Sequence, residues 1–330
     1  MKQCQIAILN ADFTSFTIEE EIFKSINGTI SQVKASEKEA IMEGLKDADV
    51  VMVQYTILDK EIIDSLENCK IILRYGIGLD NIDLDAAAQK GIYVANVPDY
   101  GVIEVADHAM ALLLALARKL PVYSKVIKDG EWGFSKAVPI HRLEGRKLGL
   151  IGFGTIARKV AKRAQAFGLE VTAYDPYVDE KVMNEAGVKK ADTVFDISKS
   201  SDFVSLHVGL FDETRLMINN EFINNMKDGS FIINTARGPL VDFDALIPAI
   251  KSKKLGGAAI DVFMQEPLPR DDELRTMEGL ILTPHAAYYS EESLQALHIL
   301  AAEEVVRVIN GEPPRHFSNK KGFIPSVTTS

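Results

Sequence analysis

The chain has 330 residues, which is more than one compact core usually holds and favours two lobes with a cleft between them. Hydrophobic residues make up 47% and charged residues 25%, the composition of a folded globular protein. Its 47 acidic and 37 basic side chains give a formal charge of −10, the wrong sign for tracking a phosphate backbone, which argues against non-specific nucleic-acid binding.

The N-terminus and the cysteines predict a protein of the cytoplasm. Met1 leads directly into a strand-like segment, without the apolar core of a signal peptide. The longest apolar run, 109–117, is far below the ~20 residues that span a bilayer, so we expect no membrane partner. Cys4 and Cys69 cannot form a disulfide framework, and we expect both to be reduced structural thiols.

The first hundred residues alternate strand-like and helix-like segments. Ser36, Glu37, Lys38 and Glu39 form a capping-box pattern that predicts a helix start, and a second helix is predicted after Asp83, stopping at Gly91. Strands are predicted for four short apolar runs, IAIL from Ile6, VVMVQ from Val50, KIILRYG from Lys70 and IYVANV from Ile92. Such alternation predicts an α/β lobe with a parallel sheet.

A second alternating series follows a long central helix. This helix, predicted for Ile103–Lys119, has an apolar face that is wider than the edge of one lobe can bury. We therefore expect it to lie at a subunit interface. The final helix, predicted for Glu291–Asn310, is expected to return to the first lobe. Strands of the second lobe are predicted for KLGLIG from Lys147 and for EVTAY, FVSLHV, SFIINTA, GAAIDVF and LILTPH.

A glycine-rich turn in the second lobe predicts a dinucleotide site. Gly152 permits a tight turn, Gly154 lets the backbone approach a pyrophosphate, and Ala157 allows the following helix to pack on the strand. Asp175 stands 21 positions after Gly154, where a carboxylate can accept hydrogen bonds from both ribose hydroxyls. Because that carboxylate would repel a 2′-phosphate, NAD is favoured over NADP. The glycines alone could equally shape an ordinary strand-to-helix turn.

Three polar residues that follow predicted strands form a candidate catalytic group. Arg237 can clamp a carboxylate through two parallel hydrogen bonds, although a surface salt bridge would also explain it. His285 can give and take a proton near neutrality, whereas most single histidines are structural. Glu266 can pair with His285 and favour the imidazolium. All three residues follow the same cofactor motif. Together they predict a catalytic site more specifically than any one of them does alone.

These motifs resemble those of the D-isomer-specific 2-hydroxyacid dehydrogenase family, most closely its bacterial branch similar to C-terminal binding protein. The resemblance runs from about Arg74 to Arg315 and rests on RYGIGLDNID, NVPDYGVIEVADHAMALLLALAR, GFGTIA, YDPY, NTARGPLVD, AAIDVFMQEP, TPHAAYYSEES and GEPPR. It implies an α/β fold of two doubly wound parallel-sheet domains. A Rossmann NAD-binding domain, 101–288, would be inserted in a flavodoxin-like substrate-binding domain, 1–100 and 289–330.

The resemblance also implies the roles of individual residues and a homodimer built on the cofactor domains. Arg237 would bind the substrate carboxylate, His285 would protonate the carbonyl oxygen as hydride arrives, and Glu266 would keep His285 charged. Arg74 would be a second cation facing the substrate, although a salt bridge is nearly as plausible. The remaining substrate contacts would come from backbone amides near Tyr75, Gly76 and Ile77 and from Tyr288. Cofactor contacts would come from Gly152, Gly154, Thr155, Ile156, Asp175, His207, Val208, Thr214, Thr235, Ala236, Arg237, Asp261 and His285.

Two departures from the family pattern and several alternatives stay open. The segment 206–210 lacks the usual proline and threonine, which puts its adenine contacts in doubt, and Tyr288 replaces a tryptophan, so substrate preference cannot be transferred. A phosphoglycerate dehydrogenase differs mainly in cations for a phosphate, and Arg74 could serve. An NAD-sensing, corepressor-like binding protein is a further alternative. A formate-type enzyme is disfavoured by Glu266, and no histidines are spaced as metal ligands.

Overall fold

The chain divides into two units close to the predicted boundaries. The computed structural model describes residues 3–324. It groups Met1–Gly101 with Ser290–Ser330 as one unit and Val102–Tyr289 as the other. Each observed boundary lies one residue beyond the predicted one.

The first unit is built on a parallel sheet in the order β2-β1-β3-β4-β5, the flavodoxin-like order. Successive side chains of β1 point to opposite faces, so Ile6 and Ile8 enter one core while Ala7 and Leu9 enter the other. The edge strand β2 is half exposed, which explains why no apolar run marks it in the sequence. The strands are β1 Cys4–Leu9, β2 Gly28–Val33, β3 Val50–Val53, β4 Ile71–Arg74 and β5 Tyr93–Ala95.

Helices cover both faces of this sheet: α1 Thr17–Phe23, α2 Lys38–Leu45, α3 Lys60–Ser65, α4 Leu84–Gln89 and the C-terminal α12 Glu291–Ile309. The predicted return of α12 to the first lobe is confirmed, since its apolar residues share a core with β1 and β4. The predicted capping box at Ser36 is wrong. Helix α2 is preceded by Glu37, whose side chain makes no capping hydrogen bond, whereas Asp83 caps α4 through the Ala86 amide.

A buried polar group joins α1, α12 and the end of β4. The Glu19 carboxylate, fully buried, accepts hydrogen bonds from the Tyr75 hydroxyl at 2.8 Å and from His298 Nδ1 at 2.5 Å. Burial and the nearby Glu19 charge raise the pKa of Tyr75 well above 10. The second oxygen of Glu19 has no hydrogen-bond partner among residues 3–324, so the buried carboxyl group depends on these two donors.

The second unit is a seven-stranded parallel sheet in the order β12-β11-β10-β9-β6-β7-β8. From one edge the strands run β8, β7 and β6, and β9 to β12 continue on the other side of β6. This is the strand order of the Rossmann fold. The strands are β6 Lys147–Ile151, β7 Glu170–Tyr174, β8 Lys189–Lys190, β9 Phe203–Leu206, β10 Ser230–Asn234, β11 Leu255–Ile260 and β12 Leu280–Leu282. Both sheets together confirm the predicted α/β fold.

The helices of the second unit are α5 Val102–Ala117, α6 Leu120–Lys128, α7 Thr155–Ala166, α8 Glu180–Glu185, α9 Val194–Ser200, α10 Asn220–Asn225 and α11 Phe243–Lys251. The inference that α5 needs cover from another subunit is wrong. Most of its apolar residues, including Met110 and Leu113, are buried in one core with α7 and with strand residues such as Leu148 and Ala259.

Within residues 3–324, no helix is long and apolar enough to cross a membrane. Both cysteines are buried and form no disulfide within residues 3–324, and burial raises the pKa of the Cys69 thiol to about 12. The prediction of structural thiols is therefore confirmed, and the cytoplasmic location stays a prediction.

We expect His298→Leu to destabilise the first unit, because it removes one of the two hydrogen-bond donors to the buried Glu19 carboxylate. Leaving a buried polar group without its partner costs roughly 1–3 kcal/mol of unfolding free energy. Urea denaturation at pH 7, followed by circular dichroism, measures the loss. The double variant Glu19→Leu/His298→Leu should recover part of it, and equal losses in the single and double variants would contradict the hydrogen-bonded pair.

Candidate active site

The predicted glycine turn joins β6 to α7, and its two glycines are needed for different reasons. Gly152 has φ +89°, and a Cβ there would lie 2.4 Å from the carbonyl oxygen of His207 on the neighbouring β9 segment. At Gly154 a Cβ would meet no atom within 4 Å. Gly152 is therefore required by the backbone conformation and the packing of the turn. Gly154 instead leaves open space in front of the N-terminus of α7.

Asp175 lies just beyond β7, next to the glycine turn. One carboxylate oxygen accepts the Phe153 amide at 2.8 Å, and the other accepts the Tyr177 amide at 2.9 Å. Since β6 and β7 are paired in register up to Ile151 and Tyr174, the carboxylate ties the glycine turn to the next strand. Each carboxylate oxygen can accept a second hydrogen bond, so Asp175 can still receive ribose hydroxyls.

The segment after β9 carries three predicted cofactor residues, of which His207 and Val208 lie against this turn. The ring Nε2 of His207 lies 2.9 Å from the Ser205 hydroxyl, and burial lowers the pKa of His207 to about 4, so the ring is neutral at pH 7. The Thr214 hydroxyl bonds backbone atoms of Gly209 and Phe211, which shapes the loop. Contacts from His207, Val208 and Thr214 to a cofactor stay predictions.

The loop carrying Arg237 is held by Asn234, a residue that the sequence analysis missed. Asn234 is fully buried; its side-chain amide donates to the Arg237 carbonyl at 2.8 Å and accepts from the Ala236 amide at 3.0 Å. An Asn directly at a strand end is a typical turn-forming residue and could have been noticed. A Cβ at Gly238 would lie 2.1 Å from the backbone of Phe263, so this loop and the Glu266 loop are packed backbone to backbone.

Glu266 and His285 form the predicted pair. His285 Nδ1 lies 2.6 Å from one Glu266 oxygen, and the other oxygen accepts the Phe263 amide at 2.8 Å. Burial of the Glu266 carboxylate opposes its ionisation. The His285 hydrogen bond and charge, the Phe263 amide and the charge of Arg237 outweigh it, so the pKa of Glu266 lies below its ordinary 4.5. The second unit thus brings Arg237, Glu266 and His285 together.

Asp261 holds the segment that carries His285. Its carboxylate is buried and accepts the Thr283 hydroxyl at 2.5 Å, the Ala286 amide at 2.9 Å and the Ala287 amide at 3.0 Å. His285 itself has φ +53°, a left-handed conformation that needs support from its surroundings. The structure gives Asp261 this positioning role, and its predicted contact with the cofactor stays a prediction.

The predicted substrate residues of the first unit surround the end of β4. Arg74 is buried, its Nε donates to the Gln54 carbonyl at 3.1 Å, and a Cβ at Gly76 would overlap its guanidinium. The Tyr75 amide donates to the Val53 carbonyl at 2.8 Å and its side chain is buried, so the prediction of a substrate-binding amide at Tyr75 is wrong. The amides of Gly76 and Ile77 keep that role as a prediction.

Tyr288 belongs to the second unit and lies beside the acid. Its ring meets the His285 ring edge to face, with 6.4 Å between the centroids. This places a large side chain next to the atoms that would react, and the substrate contact of Tyr288 stays a prediction.

The second unit has the features that an NAD-binding site requires. Gly154 leaves an open cradle at a helix N-terminus, where a pyrophosphate charge is favoured. The Thr235 hydroxyl, just after β10, is buried without a hydrogen-bond partner among residues 3–324, which a bound cofactor would supply. Residues suited to hold the cofactor are Gly152, Gly154, Thr155, Ile156, Asp175, Thr235 and Ala236.

Comparison with known proteins identifies this domain. The family model described as D-isomer specific 2-hydroxyacid dehydrogenase, NAD binding domain, matches residues 110–287. A hydroxypyruvate reductase of Thermotoga maritima is 42% identical over 275 residues, covering 82% of this chain and 88% of that protein. A crystal structure of Aquifex aeolicus D-lactate dehydrogenase complexed with NAD and lactic acid superimposes with a TM-score of 0.84 at 30% identity, covering 93% of this chain and 96% of that one.

Other relatives are longer. D-3-phosphoglycerate dehydrogenase of Methanocaldococcus jannaschii is 41% identical over 286 residues, which is 86% of this chain and 54% of that protein. The chain therefore spans about half the length of such relatives.

Gly154→Ala is expected to weaken NADH binding while leaving the fold unchanged, because the new methyl group meets no protein atom. The loss of one or two hydrogen bonds at roughly 1 kcal/mol each predicts a rise in Kd of about 5- to 30-fold. NADH fluorescence titration measures it, and thermal unfolding without cofactor is the control. Gly152→Ala should lower the unfolding temperature as well, and unchanged NADH affinity in Gly154→Ala would place the pyrophosphate elsewhere.

Proposed function

We propose that this chain, which belongs to the D-isomer-specific 2-hydroxyacid dehydrogenase family, transfers hydride between NAD(H) and a small 2-hydroxy acid or the matching 2-keto acid. The observation that carries the proposal is the 2.6 Å contact of His285 Nδ1 with Glu266, together with the effect of the Arg237 charge on the same carboxylate. An acid, its carboxylate and a cation on adjoining loops are what carbonyl reduction requires.

His285 is the proton donor in this proposal. Its Nδ1 faces Glu266, so Nε2 gives its proton to the carbonyl oxygen of the keto acid and takes it back in the reverse direction. The low pKa of Glu266 keeps the carboxylate charged at neutral pH, which stabilises the protonated imidazole. Bound NADH supplies the hydride.

Arg237 binds and orients the substrate carboxylate. Its backbone is fixed by Asn234 through the Arg237 carbonyl and the Ala236 amide, and Nη1 donates to the Ala236 carbonyl at 2.8 Å. A planar guanidinium held on a fixed loop restricts the angle at which the keto group meets His285.

Asp175 favours NAD over NADP. Its carboxylate is fixed beside the glycine turn by the Phe153 and Tyr177 amides, where a 2′-phosphate would meet a negative charge.

The deciding experiment is NADH consumption across glyoxylate, hydroxypyruvate, branched 2-keto acids and 3-phosphohydroxypyruvate, repeated with NADPH. Turnover of unphosphorylated keto acids with NADH supports the proposal. A clear preference for 3-phosphohydroxypyruvate would favour the phosphoglycerate alternative, which similarity to a named phosphoglycerate dehydrogenase supports. NADH binding without turnover of any keto acid would favour an NAD-sensing, corepressor-like protein.

His285→Ala and Arg237→Ala should lose activity in different ways. Loss of the acid lowers kcat by roughly 10²–10⁴-fold. Loss of the clamp raises KM and also lowers kcat, since Arg237 both binds and orients. Steady-state kinetics separates the two, with His141→Ala, an exposed histidine of the same unit, as the control. Near-normal turnover in His285→Ala would refute the proton-donor role.

Glu266→Gln should shift the pH profile of reduction. The neutral amide no longer stabilises the protonated imidazole, so the rate should begin to fall at a lower pH on the alkaline side than in the parent. Measurements of kcat/KM from pH 5 to pH 10 test this. An unmoved alkaline limb would remove Glu266 from the proton-donating pair.

We further infer that two copies of the chain associate through α6 and the segment after it. These residues expose an unusual run of apolar side chains on the cofactor domain: Leu120, Ile127, Trp132, Phe134 and Val138, with Trp132 92% and Phe134 75% exposed. An exposed apolar strip of this kind is typical of an interface covered by a second copy.

Trp132→Ser/Phe134→Ser should convert the dimer to a monomer at micromolar concentration, because the two most exposed rings of the strip are removed. Light scattering coupled to gel filtration gives the mass. Phe167→Ser, a half-exposed aromatic outside the strip, is the matched control. A parent chain that elutes with the mass of one copy would contradict the inference.

A further inference from the structure

We infer that His108 of α5 is a positioning residue for the catalytic loop, acting through the Thr283 hydroxyl on the Asp261 carboxylate that fixes the segment bearing His285. The assignment deepens the proposed function and rests on it. None of the catalytic steps described above uses His108.

The hydrogen bonds in this group have a determined direction. Asp261 Oδ1 accepts the Ala286 amide, and Thr283 donates its single hydroxyl proton to the same oxygen at 2.5 Å. His108 Nε2 lies 3.1 Å from the same hydroxyl oxygen. With the hydroxyl proton already directed at Asp261, His108 must be the donor. His108 therefore fixes the orientation of Thr283, and Thr283 fixes Asp261.

Asp261 passes this constraint to the catalytic loop. Its two oxygens receive the Ala286 and Ala287 amides, and its backbone carbonyl receives the His285 amide at 2.7 Å. Three consecutive amides are thus fixed by one residue, which keeps His285 in its left-handed conformation. A small displacement of this segment would move the imidazole away from Glu266.

His108 is suited to this role by its place as well as its chemistry. It lies on α5, whose apolar face is buried in the core of the second unit, so its backbone is rigid. Its Nε2 also lies 3.8 Å from Asp261 Oδ1, and the Asp261 side chain is only 1% exposed.

The kinetic test is a double-variant cycle with the substrate that the parent turns over best. His108→Phe keeps a ring but removes the donor, and loss of a hydrogen bond in a charged network predicts about a tenfold fall in kcat. KM should change little, since the Arg237 loop is untouched. His108→Gln keeps a side-chain donor and should recover most of the rate, and His141→Phe is the control at an exposed histidine.

The cycle is completed with Thr283→Val. If His108 acts through Thr283, the double variant His108→Phe/Thr283→Val loses no more than the more impaired single variant. Losses that multiply, an unchanged kcat in His108→Phe, or no recovery in His108→Gln would overturn the assignment.

Hydrogen exchange measured by mass spectrometry is a second test, and it does not depend on enzymatic activity. Amides in a peptide spanning 283–289 should exchange faster in His108→Phe than in the parent or in His141→Phe, while peptides from α7 stay unchanged. Unaltered exchange at 283–289 would also overturn the assignment. If the parent chain turned over no keto acid, the proposed function would be refuted instead. Hydrogen exchange would still test the role of His108.

Discussion

The buried carboxylate of Asp261 is the constraint on which the candidate active site depends. It lies one residue beyond β11 and receives a hydroxyl and two amides from the segment after β12, so two neighbouring strand ends are joined by one buried carboxylate. Such a group is stable inside the protein only while its donors stay in place. The geometry of the acid His285 is therefore tied to the stability of the domain.

The neighbouring strand ends are organised in the same way. Asn234 after β10 holds the Arg237 loop, and Asp175 after β7 holds the glycine turn. In each case a polar side chain at the carboxyl end of a parallel strand satisfies backbone amides of a loop that would otherwise be unpaired. The residues that bind or react then stand on loops with little freedom, which lowers the entropy lost when substrate is oriented.

The proposed hydroxy-acid chemistry and the family assignment support each other from separate grounds. Similarity identifies an NAD-binding domain over residues 110–287, whereas the acid, carboxylate and cation are read from side-chain contacts. The electrostatics of the site agree with this assignment, because the charges of His285 and Arg237 both lower the pKa of Glu266 and so keep its carboxylate ionised. A carboxylate in that state is what a proton-donating imidazole needs beside it.

The sequence by itself determined the alternation of elements, the glycine turn and the identity of Arg237, Glu266 and His285, because these depend on local apolar patterns and short motifs. It failed where the pattern was weak or the partner distant. The half-exposed β2 has no apolar run, and the serine thought to cap α2 is not its cap. The apolar face of α5 suggested a subunit interface, yet the domain covers it.

The hydrogen bonds between residues far apart in the chain became visible only in the folded protein. His108 meets Thr283 across 175 positions, and Glu19 meets His298 across 279 positions. Hydrogen bonds of this kind leave no periodic signal, since they depend on where the fold brings two side chains and not on their spacing along the chain.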